Sequence, residues 1–209
     1  MDPKELSHSD AMAFERCMAA GGVALFPSDT VYGLACDPNS PWPVQRVALI
    51  KNRPQGKPSA IMFFDSAVAF ASLSELEPRT REACAQLLPG AVTLLLPNPA
   101  HRFPFACGED PDTLGLRVPK LPWAAAELES VKWPVMQTSA NRSGEPEARH
   151  FDAVDARIVD SCDLVLDAGI LPGIASTVID LRSYERDGAW SVVREGAIPA
   201  AEIATVLGD

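Results

Sequence analysis

One short run concentrates charge in a way that calls for a ligand. Lys51-Asn52-Arg53-Pro54-Gln55-Gly56-Lys57-Pro58-Ser59 places three cations and two prolines within nine residues. Lys57 lies between Gly56 and Pro58, where a helix is disfavoured. The cations are therefore expected on a constrained surface turn. Fixed positive charges of this kind suit a small anion with several phosphate or carboxylate groups. A solvated basic turn would share the composition.

Further polar clusters follow predicted strands, and strand ends are where open α/β sheets bind ligands. Ser28-Asp29-Thr30-Val31-Tyr32-Gly33-Leu34 offers two hydroxyls, a carboxylate and a permissive glycine, although a capped turn would look the same. Pro89-Gly90-Ala91-Val92-Thr93 reads alone as a helix stop before a strand. Leu116-Arg117-Val118-Pro119 sets an arginine at a strand end, where it could enter a pocket or face water. Thr138-Ser139-Ala140-Asn141-Arg142-Ser143-Gly144 could present hydroxyls and backbone N–H groups to an anion, or cap a loop. Ser176-Thr177-Val178-Ile179-Asp180 is followed by Val193-Arg194-Glu195-Gly196, where Arg194 could equally pair with Glu195 or Asp180.

The common nucleotide fingerprints are missing from the sequence: no G-x-x-x-x-G-K-[ST] loop, no G-x-G-x-x-G turn, and no G-x-S-x-G elbow. The three histidines, His8, His101 and His150, sit in polar surroundings and read as surface residues. The five cysteines are scattered without a C-x-x-C pair. They read as small buried residues in a reducing cytoplasm rather than as zinc ligands or disulfides.

The elements that must position these residues alternate. Helices are predicted at 10–20, 44–50, 79–88, 122–131, 153–161 and 199–207. Strands are predicted at 23–26, 60–64, 91–96, 113–118, 135–138 and 164–167, with 177–181 and 189–194 as a pair. Residues 28–35 read as a turn-rich segment. This order gives an α/β class, and adjacent strands without an intervening helix imply a mixed parallel and antiparallel sheet. At 209 residues the chain is expected to be one domain, 1–209. A net charge of −10 argues against broad binding to nucleic acid or anionic membranes, but not against a local basic cleft. No apolar run approaches membrane-spanning length and no signal peptide is apparent, so a cytoplasmic location without membrane contact is expected.

In this order, the motifs resemble the YrdC-like threonylcarbamoyl-AMP synthase family. The resemblance rests on Ser28 to Leu34, the K-x-R-P-x-x-K-P run from Lys51 to Pro58, Leu116 to Pro119, Thr138 to Gly144, and Ser176 to Asp180. It spans about residues 11–199. It implies a twisted mixed sheet around a large, positively lined cavity. It also implies an enzyme that joins L-threonine, bicarbonate and ATP into threonylcarbamoyl-adenylate and pyrophosphate, for modification of tRNA. By the family pattern Lys51 and Arg53 would be catalytic. Thr30, Lys57, Arg117 and Ser176 would bind threonine. Lys51, Arg53, Thr93, Ser139, Asn141 and Arg194 would bind ATP. Magnesium would be held mainly through the ATP phosphates, without a protein metal site.

The implied partners are the substrates, a downstream tRNA threonylcarbamoyl transferase complex and, at most weakly, tRNA. The chain departs from the family's usual residues at Ala91, Ala168, Ala175 and Glu195, and it is expected to lack the C-terminal extension of longer members. Two alternatives stay open: a same-fold carbamoyl or nucleotidyl transferase with another acceptor, and a non-catalytic RNA-binding module.

Overall fold

The computed structural model describes residues 5–208, so the ends of the expected domain, 1–4 and 209, lie outside the described residues. The elements, in chain order, are α1 (His8–Ala19), β1 (Ala24–Pro27), β2 (Tyr32–Cys36), α2 (Pro41–Ile50), β3 (Ala60–Met62), α3 (Ser66–Ser72), α4 (Pro78–Leu87) and β4 (Val92–Pro97). There follow α5 (Pro104–Cys107), β5 (Thr113–Arg117), a 3₁₀ run (Trp123–Ser130), β6 (Val135–Ser139), a 3₁₀ turn (Phe151–Ala153) and α6 (Ala156–Val159). The chain closes with β7 (Leu164–Val165), β8 (Thr177–Asp180), α7 (Tyr184–Asp187), β9 (Ser191–Arg194) and α8 (Ala200–Leu207).

Among the described residues the strands form one nine-stranded sheet in the order β7-β1-β2-β6-β3-β5-β4-β8-β9. The pairs β1–β7, β3–β5 and β4–β8 are parallel, and the others are antiparallel. The expected α/β class with a mixed sheet is what the chain forms.

The central strands are buried on both faces, so their side chains divide by the period of two between two cores. Leu25, Leu34, Ile61 and Phe63 enter one core. Ala24, Phe26, Ala35, Met62 and Phe64 enter the other. There Phe14 of α1 packs on Phe26 and Phe64, with ring centroids 5.3 and 5.6 Å away. Helix α1 starts at a capping box, Ser7 with Asp10, which satisfies two N-terminal donors.

Four local expectations differ from the structure. Only 28–31 is a turn within the predicted turn-rich segment. Residues 32–36 form β2, antiparallel to β1, with Pro27 opposite Tyr32. Gly33 hides that strand in the sequence, yet it is required there. A Cβ at Gly33 would sit 2.7 Å from Gln137 Nε2. Residues 123–130 wind as 3₁₀ rather than α. The predicted helix 153–161 is reduced to α6, and the short helices α3, α5 and α7 were not foreseen.

Candidate active site

A cavity of about 430 Å³ lies over one face of the sheet, lined at alternate positions by Thr113, Gly115 and Arg117 of β5, and all ten of the singled-out residues line it. Two walls can be distinguished by how they are built.

The first wall stands on strand ends. Thr93 of β4 and Ser176, just before β8, are brought together by the parallel β4–β8 pair, and their hydroxyls are 2.8 Å apart. Thr30 comes from the β1–β2 turn, where Ser28 Oγ donates to Val31 O at 2.7 Å. Arg117 ends β5 and is only 4% exposed. Its Nη2 lies 2.7 Å from Asp29 Oδ1 and 3.3 Å from Thr30 Oγ1, and its Nη1 donates to Gln137 Oε1 at 3.0 Å. Arg117 Nε is buried without a hydrogen-bond partner. Burial pulls the Arg117 guanidinium below its ordinary value, opposed by Asp29. Burial pushes the Asp29 carboxyl up, opposed chiefly by Arg117. Arginine starts from so high a value that Arg117 stays protonated near neutral pH. Arg194, at the end of β9, donates to Ser176 O at 2.7 Å. It pairs with neither Glu195 nor Asp180, since Asp180 is taken by Arg182 at 2.6 Å.

The second wall is made of loops. Lys51 follows α2 directly and is 4% exposed, which corrects its expected place on a surface turn. Its Nζ donates to the carbonyl oxygens of Ser139 and Asn141, the latter at 2.7 Å, and lies 3.3 Å from Asn141 Oδ1. Its own carbonyl accepts from Ser143 N at 2.9 Å. Lys51 therefore ties the loop after β6 to the end of α2. Burial, with Arg53 and Lys57 adding repulsion and Glu147 opposing, pulls the Lys51 ammonium down to about 8.

Arg53 is half-buried, and burial lowers its guanidinium too. Its Nη2 closes its own turn by donating to Lys57 O and Pro58 O, at 2.5 and 3.0 Å. Lys57 is exposed at the rim. Ser139 Oγ donates to Asn141 Oδ1 at 2.6 Å. The turn is backed by α5, where Glu109 N donates to Gly56 O at 2.9 Å. The chains approach so closely there that a Cβ at Gly108 would lie 2.0 Å from that oxygen.

Among the lining residues that the sequence did not single out, Gln137 and Glu147 bear on the site's charges. Gln137 alternates into the cavity from β6 and orients Arg117. Glu147 is the carboxylate in a wall that carries five cations. Its signal, an acid just past the Ser139–Gly144 loop, was of the wrong sign for an anion site. The histidines are exposed and do not line the cavity. The cysteines are free and buried or half-buried, and burial raises the Cys17 and Cys107 thiols to about 11.

The Sua5/YciO/YrdC family model, described as "Telomere recombination", matches residues 16–196. A threonylcarbamoyl-AMP synthase of Stenotrophomonas maltophilia is 33% identical over 166 residues, 78% of this chain and 87% of the relative. One of Xanthomonas euvesicatoria is 33% identical over 164 residues, 76% and 87% of the two chains. Among solved structures, P. abyssi Sua5 complexed with L-threonine superposes with a TM-score of 0.82 at 26% identity. That match covers 99% of this chain but 60% of the Sua5 chain, so this chain spans about three-fifths of that relative. E. coli YciO superposes with a TM-score of 0.80 at 25% identity, covering 97% of each chain.

Proposed function

The chain belongs to the Sua5/YciO/YrdC family, and we propose that it is an L-threonylcarbamoyladenylate synthase, a nucleotidyltransferase acting in threonylcarbamoyladenosine modification of tRNA. The observation that carries this reading is the cavity itself. Five cations and a set of hydroxyls from Thr30, Thr93, Ser139 and Ser176 converge on a cavity of about 430 Å³ in a chain of net charge −10. That volume suits a nucleotide and an amino acid. The net charge of −10 disfavours the RNA-binding alternative.

The reaction brings negative charges together. Threonine's neutral amine adds to bicarbonate and water leaves, giving an N-carboxylate. An oxygen of that carbamate attacks the α-phosphorus of ATP, and the bond to pyrophosphate breaks. No protein nucleophile is needed, only positioning and charge stabilisation. Lys51 and Arg53 would stabilise the charge that develops on the phosphates. Thr93, Ser139, Asn141 and Arg194 would orient ATP. Thr30, Ser176 and Arg117 would hold threonine, with Lys57 near its carboxylate. Arg117 Nε is a buried donor left without a partner at this site.

A magnesium ion carried on the triphosphate fits the wall, which supplies hard oxygen donors in Glu147, Ser139 and Ser143. Among the described residues there is no cluster of three His, Cys, Asp or Glu side chains that could hold a metal by itself. When bound, the ion would neutralise phosphate charge. The product is a mixed anhydride, so it would be consumed by a separate transferase complex that passes the acyl group to tRNA, with at most weak tRNA contact here. Among the described residues no helix is long and apolar enough to cross a membrane. A cytoplasmic site of action is part of this proposal.

The test is pyrophosphate release from ATP by purified protein, with mass spectrometry of the adenylate. Release that requires L-threonine, bicarbonate and magnesium is the expected result. Release that persists without threonine would point to another acceptor, and no release with all of them present would overturn the reading.

A further inference from the structure

We propose that Tyr32 is a positioning residue whose hydroxyl fixes the segment that delivers Ser176 to the cavity, and so sets affinity for threonine without setting affinity for ATP. The inference rests on the roles proposed above, in which Ser176 contacts threonine and the loop residues Lys51, Arg53, Ser139 and Asn141 contact ATP.

Tyr32 has no solvent exposure, and its phenol reaches a polar destination. The hydroxyl donates to Asp167 Oδ1 at 2.6 Å, with Gly169 O at 2.9 Å as a second acceptor. It accepts from Ala168 N at 3.2 Å. Asp167 Oδ1 in turn accepts from Gly169 N at 3.0 Å. Burial and the adjoining Asp167 carboxylate both raise the phenol's pKa, so it keeps its proton and remains the donor.

This knot starts the segment 167–176. Leu171 N donates to Arg149 O at 2.7 Å, and Gly173 N donates to Thr30 O at 2.8 Å. Ala175 and Ser176 then join the cavity wall. Ala168 and Leu171 are buried in the two cores, but past Leu171 few apolar side chains hold the segment down: Ile174 is 57% exposed, and Ile170 beside Leu171 is 71% exposed. Its course is thus set largely by hydrogen bonds, of which the Tyr32–Asp167 bond is charge-assisted and buried on the phenol side.

The backbone of the same residue serves the other wall. Tyr32 O accepts from Ala140 N at 2.8 Å, and Tyr32 N donates to Ala148 O at 2.9 Å, which brackets the loop carrying Ser139, Asn141 and Glu147. A change confined to the hydroxyl leaves those bonds in place. Tyr32→Phe therefore separates the two walls: the ring still fills the core, and only the knot at 167–169 is lost.

The experiment measures initial rates of pyrophosphate release by the full chain, varying threonine at saturating ATP and then ATP at saturating threonine. For Tyr32→Phe, the threonine KM is expected to rise about tenfold, the effect of losing one good charge-assisted hydrogen bond, with the ATP KM within about twofold. Asp167→Ala removes the same bond from its other end and should reproduce the split. Asp167→Asn keeps an acceptor oxygen and should restore most of the affinity. The double variant should fall short of the sum of the singles, because both lose the shared Tyr32–Asp167 bond. If Tyr32→Phe fails to fold, Asp167→Ala carries the test. Equal rises in both KM values, or none, would overturn the proposal, as would additive effects. Failure of the wild-type chain to release pyrophosphate with threonine would instead overturn the reading beneath it.

Discussion

The two walls of the cavity are made of different material. Thr93, Arg117 and Ser176 stand on or beside adjoining strands, and their places follow from the register of β4, β5 and β8. Lys51, Arg53, Ser139 and Asn141 stand in loops, and they are held by side chains bonding to backbone carbonyls. The strand-built wall is rigid because the sheet fixes it. The loop-built wall is rigid only while its own cations stay in place. The consequence is a division of risk: damage to the first wall should register as lost stability, and damage to the second as lost activity.

The largest expected effect tests the first half of that contrast. Asp29→Ala leaves the Arg117 guanidinium buried and uncompensated, which costs about 3–5 kcal/mol. For a chain of this size that lowers Tm by about 10 °C. Thermal unfolding followed by circular dichroism measures it. Breaking the exposed Arg157–Asp155 pair by Arg157→Ala should leave Tm unchanged. Equal losses in the two variants would erase the contrast.

The second half is tested by Arg53→Ala. Its turn is held from behind by α5, through Glu109 N to Gly56 O and Ser59 N to Ala106 O, both at 2.9 Å. The fold should survive with Tm nearly unchanged. The ATP-dependent kcat/KM should drop by about 10²–10³, the usual cost of removing a donor aimed at developing charge. An unfolded Arg53→Ala would show that this cation is structural.

A smaller effect is expected where the strand-built wall meets substrate without burying charge. Thr93→Val keeps the β-branched shape but removes the partner of Ser176 Oγ. Because Thr93 is assigned to ATP and its partner Ser176 to threonine, a KM about tenfold higher for each substrate, with Tm nearly unchanged, is the expected outcome of losing one hydrogen bond of this kind. Steady-state kinetics with each substrate varied in turn read it directly.

The same division explains what was legible in the sequence. The residues of the strand-built wall were marked by the family resemblance, since alternation alone left Arg117 equally able to face water and Pro89 to Thr93 read as a helix stop before a strand. The α/β class and mixed sheet followed from element order. β2 was read as a turn because Gly33 is a poor strand former in isolation, and the reason for that glycine is the close approach of Gln137, about a hundred positions further along the chain. The burial of Lys51 was illegible for a related reason. Its partners are the carbonyls of residues 139 and 141, and no local pattern encodes a lysine that turns inward to meet them. Arg53 and Lys57, which do lie on the turn, were read correctly in kind. Glu147 was passed over because a lone acid seems out of place among cations until the structure sets it beside them.

Glu147 also supplies the finest test of the loop-built wall, through pH. Lys51 is pulled from its ordinary 10.5 to about 8 in the folded chain, chiefly by burial. Between those values the unfolded chain binds more protons than the folded one, so this group's contribution to stability rises with pH across that window. Below about pH 8 the folded chain carries a buried ammonium at a cost, and an incoming triphosphate offsets it. Loss of that proton should weaken ATP capture, so kcat/KM for ATP is expected to fall as pH rises through about 8, while kcat at saturating ATP holds to higher pH because bound phosphate keeps the ammonium charged. Glu147 raises the Lys51 value, so Glu147→Gln should move the basic limb of kcat/KM to lower pH and leave the saturated rate less affected. Pyrophosphate release measured from pH 7 to 9.5 decides the matter: a flat wild-type profile would mean that Lys51 keeps its charge throughout, and an unmoved limb in Glu147→Gln would mean that the lone acid does not act on it.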